Sequence, residues 1–197
     1  MAVSSRRDRG RGVATVILPL LVAGCSVGVG AGEVSGVVDA PDCGLDEASY
    51  RLEPTFFVAT PVEDHLEMRV QRGSSFSDVS DGIAVTVLGA SRVAERLGEA
   101  LPIEPRPDEA DVPAVGMTLY LNESCPPSAA RAPVVLEATE GTITFEAIHA
   151  PGVDRESSEI AATFGGVRLT DHRGRSARLS GWFRFIFNRG HPAQRFP

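Results

Sequence analysis

The side chains of this chain able to do chemistry are few, and their spacing limits what they can do. His65, His149, His172 and His191 are scattered, and none stands in an H-x-H, H-E-x-x-H or H-x-x-E-H arrangement. The helical zinc-hydrolase patterns, which place two imidazoles on one face, are therefore missing. No G-x-S-x-G occurs, and S-x-x-K is impossible because all 19 basic residues are arginine. Schiff-base and P-loop chemistry fall with the missing lysine. The sequence assigns no catalytic residue, and the expectation is a protein that is not an enzyme.

Carboxylates offer one alternative. Asp78 and Asp81 flank Val79-Ser80 just before Gly82, and the loop 102–113 adds Glu104, Asp108, Glu109 and Asp111. Loop carboxylates are hard oxygen ligands that suit calcium. The spacing lacks the D-x-D-x-D-G of an EF-hand, and turn chemistry accounts for Asp81-Gly82 equally well. Asp78 and Asp81 are the candidates for calcium; no other cofactor is implied.

The cysteines and the leader say where the chain resides. Residues 6–11 carry Arg6, Arg7, Arg9 and Arg11 against Asp8, and 13–24 is an uncharged, mostly apolar run. A basic segment followed by a short apolar one matches a secretory signal. At 12 residues the run is too short for a bilayer span, which takes about 20. It ends Val22-Ala23-Gly24-Cys25. This resembles the lipobox of bacterial lipoproteins, in which the signal is cut before the cysteine and the cysteine is acylated. The resemblance covers the leader alone. It implies residues 1–24 as signal, acylated Cys25 as a membrane anchor, and, with Ser26 rather than Asp next, the outer-membrane pattern. An ordinary signal with unmodified Cys25 is the alternative. Multiple acyl chains hold firmly where one is marginal. Cys43 and Cys125 then read as one disulfide of an exported protein, against two free buried thiols.

Charge is distributed unevenly. The whole chain carries −7. Removing 1–24 takes away four arginines and one aspartate and leaves 173 residues at −10. Within them, 26–167 sum to −16 and 168–197 to +6. A net acidic body argues against a nucleic-acid partner. Arg173, Arg175, Arg189 and Arg195 are candidates for an anionic partner such as an envelope polysaccharide. The competing reading pairs these arginines across strands with neighbouring carboxylates.

The elements that must position these residues are strands. Leu66, Met68 and Val70; Ile83, Val85 and Val87; Met117, Leu119 and Leu121; and Ile143 and Phe145 all alternate with polar or small residues. Each run is a half-buried strand with one wet face. Residues 138–141 read as a hairpin turn, 171–175 as another, and Gly165-Gly166 as a bulge. Phe183, Phe185 and Phe187 on one face, with Trp182 and Ile186 on the other, predict a strand that is central or covered on both sides. Val93, Leu97 and Leu101 predict a helix over 90–101. Pro192 bars the tail from a central strand and leaves it to fold back over the sheet, with Phe196 as an apolar plug.

The fold expected is all-β, an antiparallel β-sandwich of about eight strands with one short helix, or a small β-barrel. Its parts are the signal 1–24, a lipidated tether 25–33 and the domain 34–197. The function expected is a lipid-anchored envelope module that binds or supports, with a polysaccharide or protein partner. An enzyme acting on envelope glycan and a calcium-dependent adhesion domain are the alternatives. The glycan reading is weakened by placing the sole Trp in the core.

Overall fold

The computed structural model describes residues 30–75, 77–109, 111–126, 133–150 and 158–194. In chain order they form β1 (Gly30–Ala40), β2 (Leu45–Leu52), β3 (Phe56–Val62), β4 (His65–Gln71), β5 (Asp81–Leu88), α1 (Ala90–Ala94), β6 (Ala100–Pro102), β7 (Ala114–Leu121), β8 (Val135–Ala147), β9 (Glu159–Thr170), β10 (Ser176–Ile186) and β11 (Ala193–Gln194). The alternating apolar pattern thus yields the expected all-β, antiparallel fold, with eleven strands rather than about eight.

The strands share one continuous sheet, in the order β11-β3-β4-β5-β7-β8-β9-β10-β1-β2, with β6 paired to β8 beside β7. The sheet curls on itself into the barrel-like sandwich expected. Phe57 of β3 stacks on Phe185 of β10 with centroids 5.6 Å apart, although these strands lie far apart in the sheet order. Leu66, Val85, Leu119, Phe145, Leu169 and Phe183 meet in a single core, each essentially inaccessible to solvent. Burying one such side chain contributes about 1.5–3 kcal/mol.

Three local expectations are corrected, and a fourth holds in part. Residues 138–141 do not turn: β8 runs through them, with register shifts that absorb Gly141, because β9 pairs along both halves. The helix stops at Ala94, and Leu101 instead joins β6, opposite Ile143. Gly98 adopts φ +82 and donates its N–H to the Phe145 carbonyl, which ends any helical path. Gly30–Glu33 belong to β1 rather than the tether. The reason is steric: a Cβ on Gly30 would lie 2.3 Å from the Phe57 ring, so smallness there serves close packing. Finally, β10 is central in the sheet, between β9 and β1, but only one of its faces is covered. Phe183, Phe185 and Phe187 are buried, whereas Trp182 is 42% exposed.

One expectation holds in detail, and a second in part, since the tail returns along the edge of the sheet rather than over a face. Gly165-Gly166 is a bulge: Val167 faces Leu179 and Phe164 faces Gly181, so two β9 residues stand opposite Ser180. The tail folds back as the edge strand β11, where Ala193 pairs with Phe57 and Gln194 with Phe56. Arg195 and Phe196 lie outside the described residues.

Candidate functional site

Four of the residues singled out from sequence, Cys43, Cys125, Asp81 and Arg175, converge on one end of the molecule, as a clasp. Cys43, closing the 3-10 turn after β1, is bonded to Cys125, beyond β7, with Cα atoms 5.1 Å apart. That separation is normal for a disulfide. Asp81 opens β5 and turns inward, 1% exposed. Its carboxylate accepts the N–H groups of Glu123 (2.9 Å) and Ser124 (3.0 Å), and the Ser124 hydroxyl. The Tyr50 hydroxyl donates to it from β2 at 3.5 Å. Burial, and then the neighbouring Asp81 charge, raise the Tyr50 phenol well above its ordinary value, so it stays protonated as a donor.

Arg175 extends the same clasp. It is buried, and its guanidinium meets Asp171 (Nε to Oδ2, 2.7 Å) and Asp42 (Nη1 to Oδ2, 3.4 Å). Asp42 adjoins Cys43, so the β9–β10 turn is fastened to the turn after β1. Burial pushes the Asp171 carboxyl upward. The Arg175 side chain and the N–H groups of Arg173 and Arg175 outweigh it and hold the carboxyl below the ordinary range.

The structure does not gather the proposed calcium pair. Asp81 points into the clasp, while Asp78 accepts the Ser74 and Ser75 N–H groups and closes the turn before β5. Those backbone donors hold the Asp78 carboxyl below its ordinary value. Among the described residues no group of three His, Cys, Asp or Glu side chains is placed to hold a metal ion.

Nor do Arg173, Arg175 and Arg189, the described members of the arginine set, form one patch. Arg173 and Arg175 sit in the turn before β10, and Arg189 follows its far end. The eleven-residue strand separates them by roughly 35 Å at 3.3 Å per residue. Other arginines of this segment pair across strands: Arg168 with Glu140 (3.1 Å), and Arg184 with Glu146 (3.0 Å) and Glu159 (3.3 Å). His149 is buried under Phe187 and shares a 2.9 Å hydrogen bond with the Ser158 hydroxyl.

A feature the sequence reading missed lies on the outer face. Outward positions of β5 are Gly82, Ala84 and Thr86, and those of β7 are Gly116, Thr118 and Tyr120. The register sets Gly82 beside Tyr120, Ala84 beside Thr118 and Thr86 beside Gly116. The small outward residues Gly82, Ala84, Thr86, Gly116 and Thr118 of two adjacent strands make a trough, with Tyr120 toward one end. Its walls are Glu67 and Arg69 on β4, and Glu137 of β8 with the loop 104–108. Three adjoining clefts of about 330, 260 and 170 Å³ share Thr86, Thr118, Arg69 and Tyr120 along its length. Arg69 lies over the Tyr120 ring, 5.7 Å from its centroid. Pro107 caps one end by packing where a Gly116 side chain would stand. The small residues were visible in the alternation; their alignment needed the register. Comparison with protein families, curated proteins and solved structures finds no match to any of them, so the reading of this site rests on its own residues.

Proposed function

We propose that the chain is an exported, lipid-anchored module of the cell envelope that binds an extended partner on the outer face of its sheet, without catalysis. One observation supports the binding half most: the trough across β4, β5, β7 and β8. It is long, open and lined by small and hydroxyl-bearing residues. Glu67, Glu104, Asp108 and Glu137 face it against Arg69 and Arg106, so it favours a neutral or basic strand over an anion. A catalytic site would instead concentrate polarising groups around one reacting atom.

The envelope half of the reading rests on the leader and the disulfide. Disulfides persist in oxidising compartments outside the cytosol. The basic and apolar leader and Cys25 supply the route and the anchor, and Ser26 fits the outer membrane. β1 begins at Gly30, five residues after Cys25, so the folded part would sit close to the lipid surface.

Mass spectrometry of the membrane fraction tests anchoring. Wild type is expected to carry acyl mass on Cys25, and Cys25→Ala to lose it and leave the membrane. Exported wild type without acyl mass would overturn the anchor. For the trough, Ala84→Arg fills the floor with a long side chain. Retention of the chain on isolated envelope fractions should then drop at least tenfold. Unchanged retention would remove the trough from the reading.

A further inference from the structure

Trp182 is the sole tryptophan of the chain and stands 42% exposed in the middle of a sheet face. An indole carries a large apolar surface, and leaving part of it in water forgoes favourable burial. A β10 position between two neighbouring strands is also the most rigid place to present it. Its surroundings are specific. Glu33 of β1 and Thr163 of β9 lie directly opposite it, and Thr144 of β8 continues the row. The next row holds Ser35, Ser180 and Thr142. The bulge at Gly165-Gly166 falls beside Ser180, so no side chain rises between these hydroxyls.

The charges bordering this field are already paired. Arg184 pairs with Glu146 and Glu159, and Arg51 with Glu33 and Glu53. The field is thus an aromatic plate among hydroxyls, with a rim of two arginines and four glutamates. That rim is net acidic and repels an anion, and each of its charges already has a partner. Inserting it into a bilayer would drag these six paired ions toward hydrocarbon, which is costly. A sugar ring suits it better: its C–H face stacks on the indole, and its hydroxyls meet the Ser and Thr rows at the edge.

We infer that Trp182, with Thr163, Ser180 and Ser35 around it, is a stacking platform for a neutral, extended polysaccharide strand. The flat face fits an unbranched β-1,4-linked chain, whose successive rings lie in a ribbon. The inference deepens the binding-module reading by naming a ligand class, but its chemistry stands whether or not Cys25 is acylated. It is separate from the trough, whose floor lies on β5 and β7, although both reach β8.

The lone indole is its own probe. The full chain, in a polyoxyethylene detergent that carries no sugar, is titrated with hexamers of β-1,4-linked N-acetylglucosamine and of β-1,4-linked glucose. Tryptophan emission should shift to the blue and become at least threefold less accessible to acrylamide, saturably, with one hexamer or both. Thr163→Arg keeps the probe and blocks the platform, so its response should vanish while its melting temperature stays within a few degrees. Trp182→Ala should lose at least tenfold in affinity by calorimetry, with Ala84→Arg in the trough leaving that affinity unchanged. A response to phosphatidylcholine vesicles but to neither hexamer would make Trp182 a membrane contact and overturn the inference. Silence toward both hexamers would overturn it too. Failure of acylation at Cys25 would leave these results standing.

Discussion

At the scale of single residues, type and sequence neighbourhood mislead about role. Arg173, Arg175 and Arg189 share one basic segment, yet they have different fates. Arg175 is buried between Asp171 and Asp42, whereas Arg189 is exposed after β10. Removing one member of a buried pair leaves the other charge uncompensated and costs about 3–5 kcal/mol. Truncating an exposed arginine changes stability by about 0.5 kcal/mol or less. Thermal melts should therefore show Arg175→Ala strongly destabilised and Arg189→Ala close to wild type. Acid should narrow the gap. The folded Asp171 carboxyl titrates below its unfolded value of about 3.9. Its contribution is complete above that value and is lost as pH falls through it toward the folded one. Arg175→Ala lacks the main partner that lowers the folded value, so its melting temperature should fall less between pH 5 and 2. Parallel curves for the two proteins would refute this account.

At the scale of elements, the period of two reported strand faces well and strand ends poorly. The alternation over β4, β5 and β7 places Leu66, Val85 and Leu119 inside, as they are. It could not tell that 138–141 stay extended, because the deciding partner is β9, which comes 20 or so residues later. The helix of 90–101 failed for the same reason: Leu101 finds its partner in Ile143. Gly165-Gly166 was legible because a paired glycine inside a strand has few other uses. Gly166 sits at φ +61 with open space around its Cα. A side chain there meets no neighbour, and the cost is conformational, about 1–2 kcal/mol. Gly166→Ala should lower the unfolding free energy by that amount, seen as a lower denaturant midpoint at unchanged slope. An unchanged midpoint would show that the bulge does not need the left-handed conformation.

At the scale of the whole molecule, a sheet that curls without closing must be held at its ends. The clasp does this. Cys43–Cys125 closes a loop of 82 residues, worth about 4.5 kcal/mol on chain-entropy grounds. Asp81 then fixes the turn beside Cys125 through two backbone N–H groups, and Arg175 ties in the β9–β10 turn. The double variant Cys43→Ser/Cys125→Ser should lose about 3–5 kcal/mol in equilibrium unfolding. Wild type under strong reductant should match it. A variant as stable as wild type would mean that the core alone closes the curl.

The sequence by itself determined the class of fold, the pairing of the two body cysteines and which face of most strands is wet. These follow from periodicity and from cysteine arithmetic, which act over a few residues or by elimination. Only the tertiary structure decided what each polar residue does. It turned Asp81 and Arg175 inward, separated Arg173 from Arg189, aligned Ala84 with Thr118 into a trough floor and left Trp182 facing water. Each outcome depends on which strand lies alongside. That is set by long-range register and by the curl of the sheet, and neither is written in any local stretch of the chain.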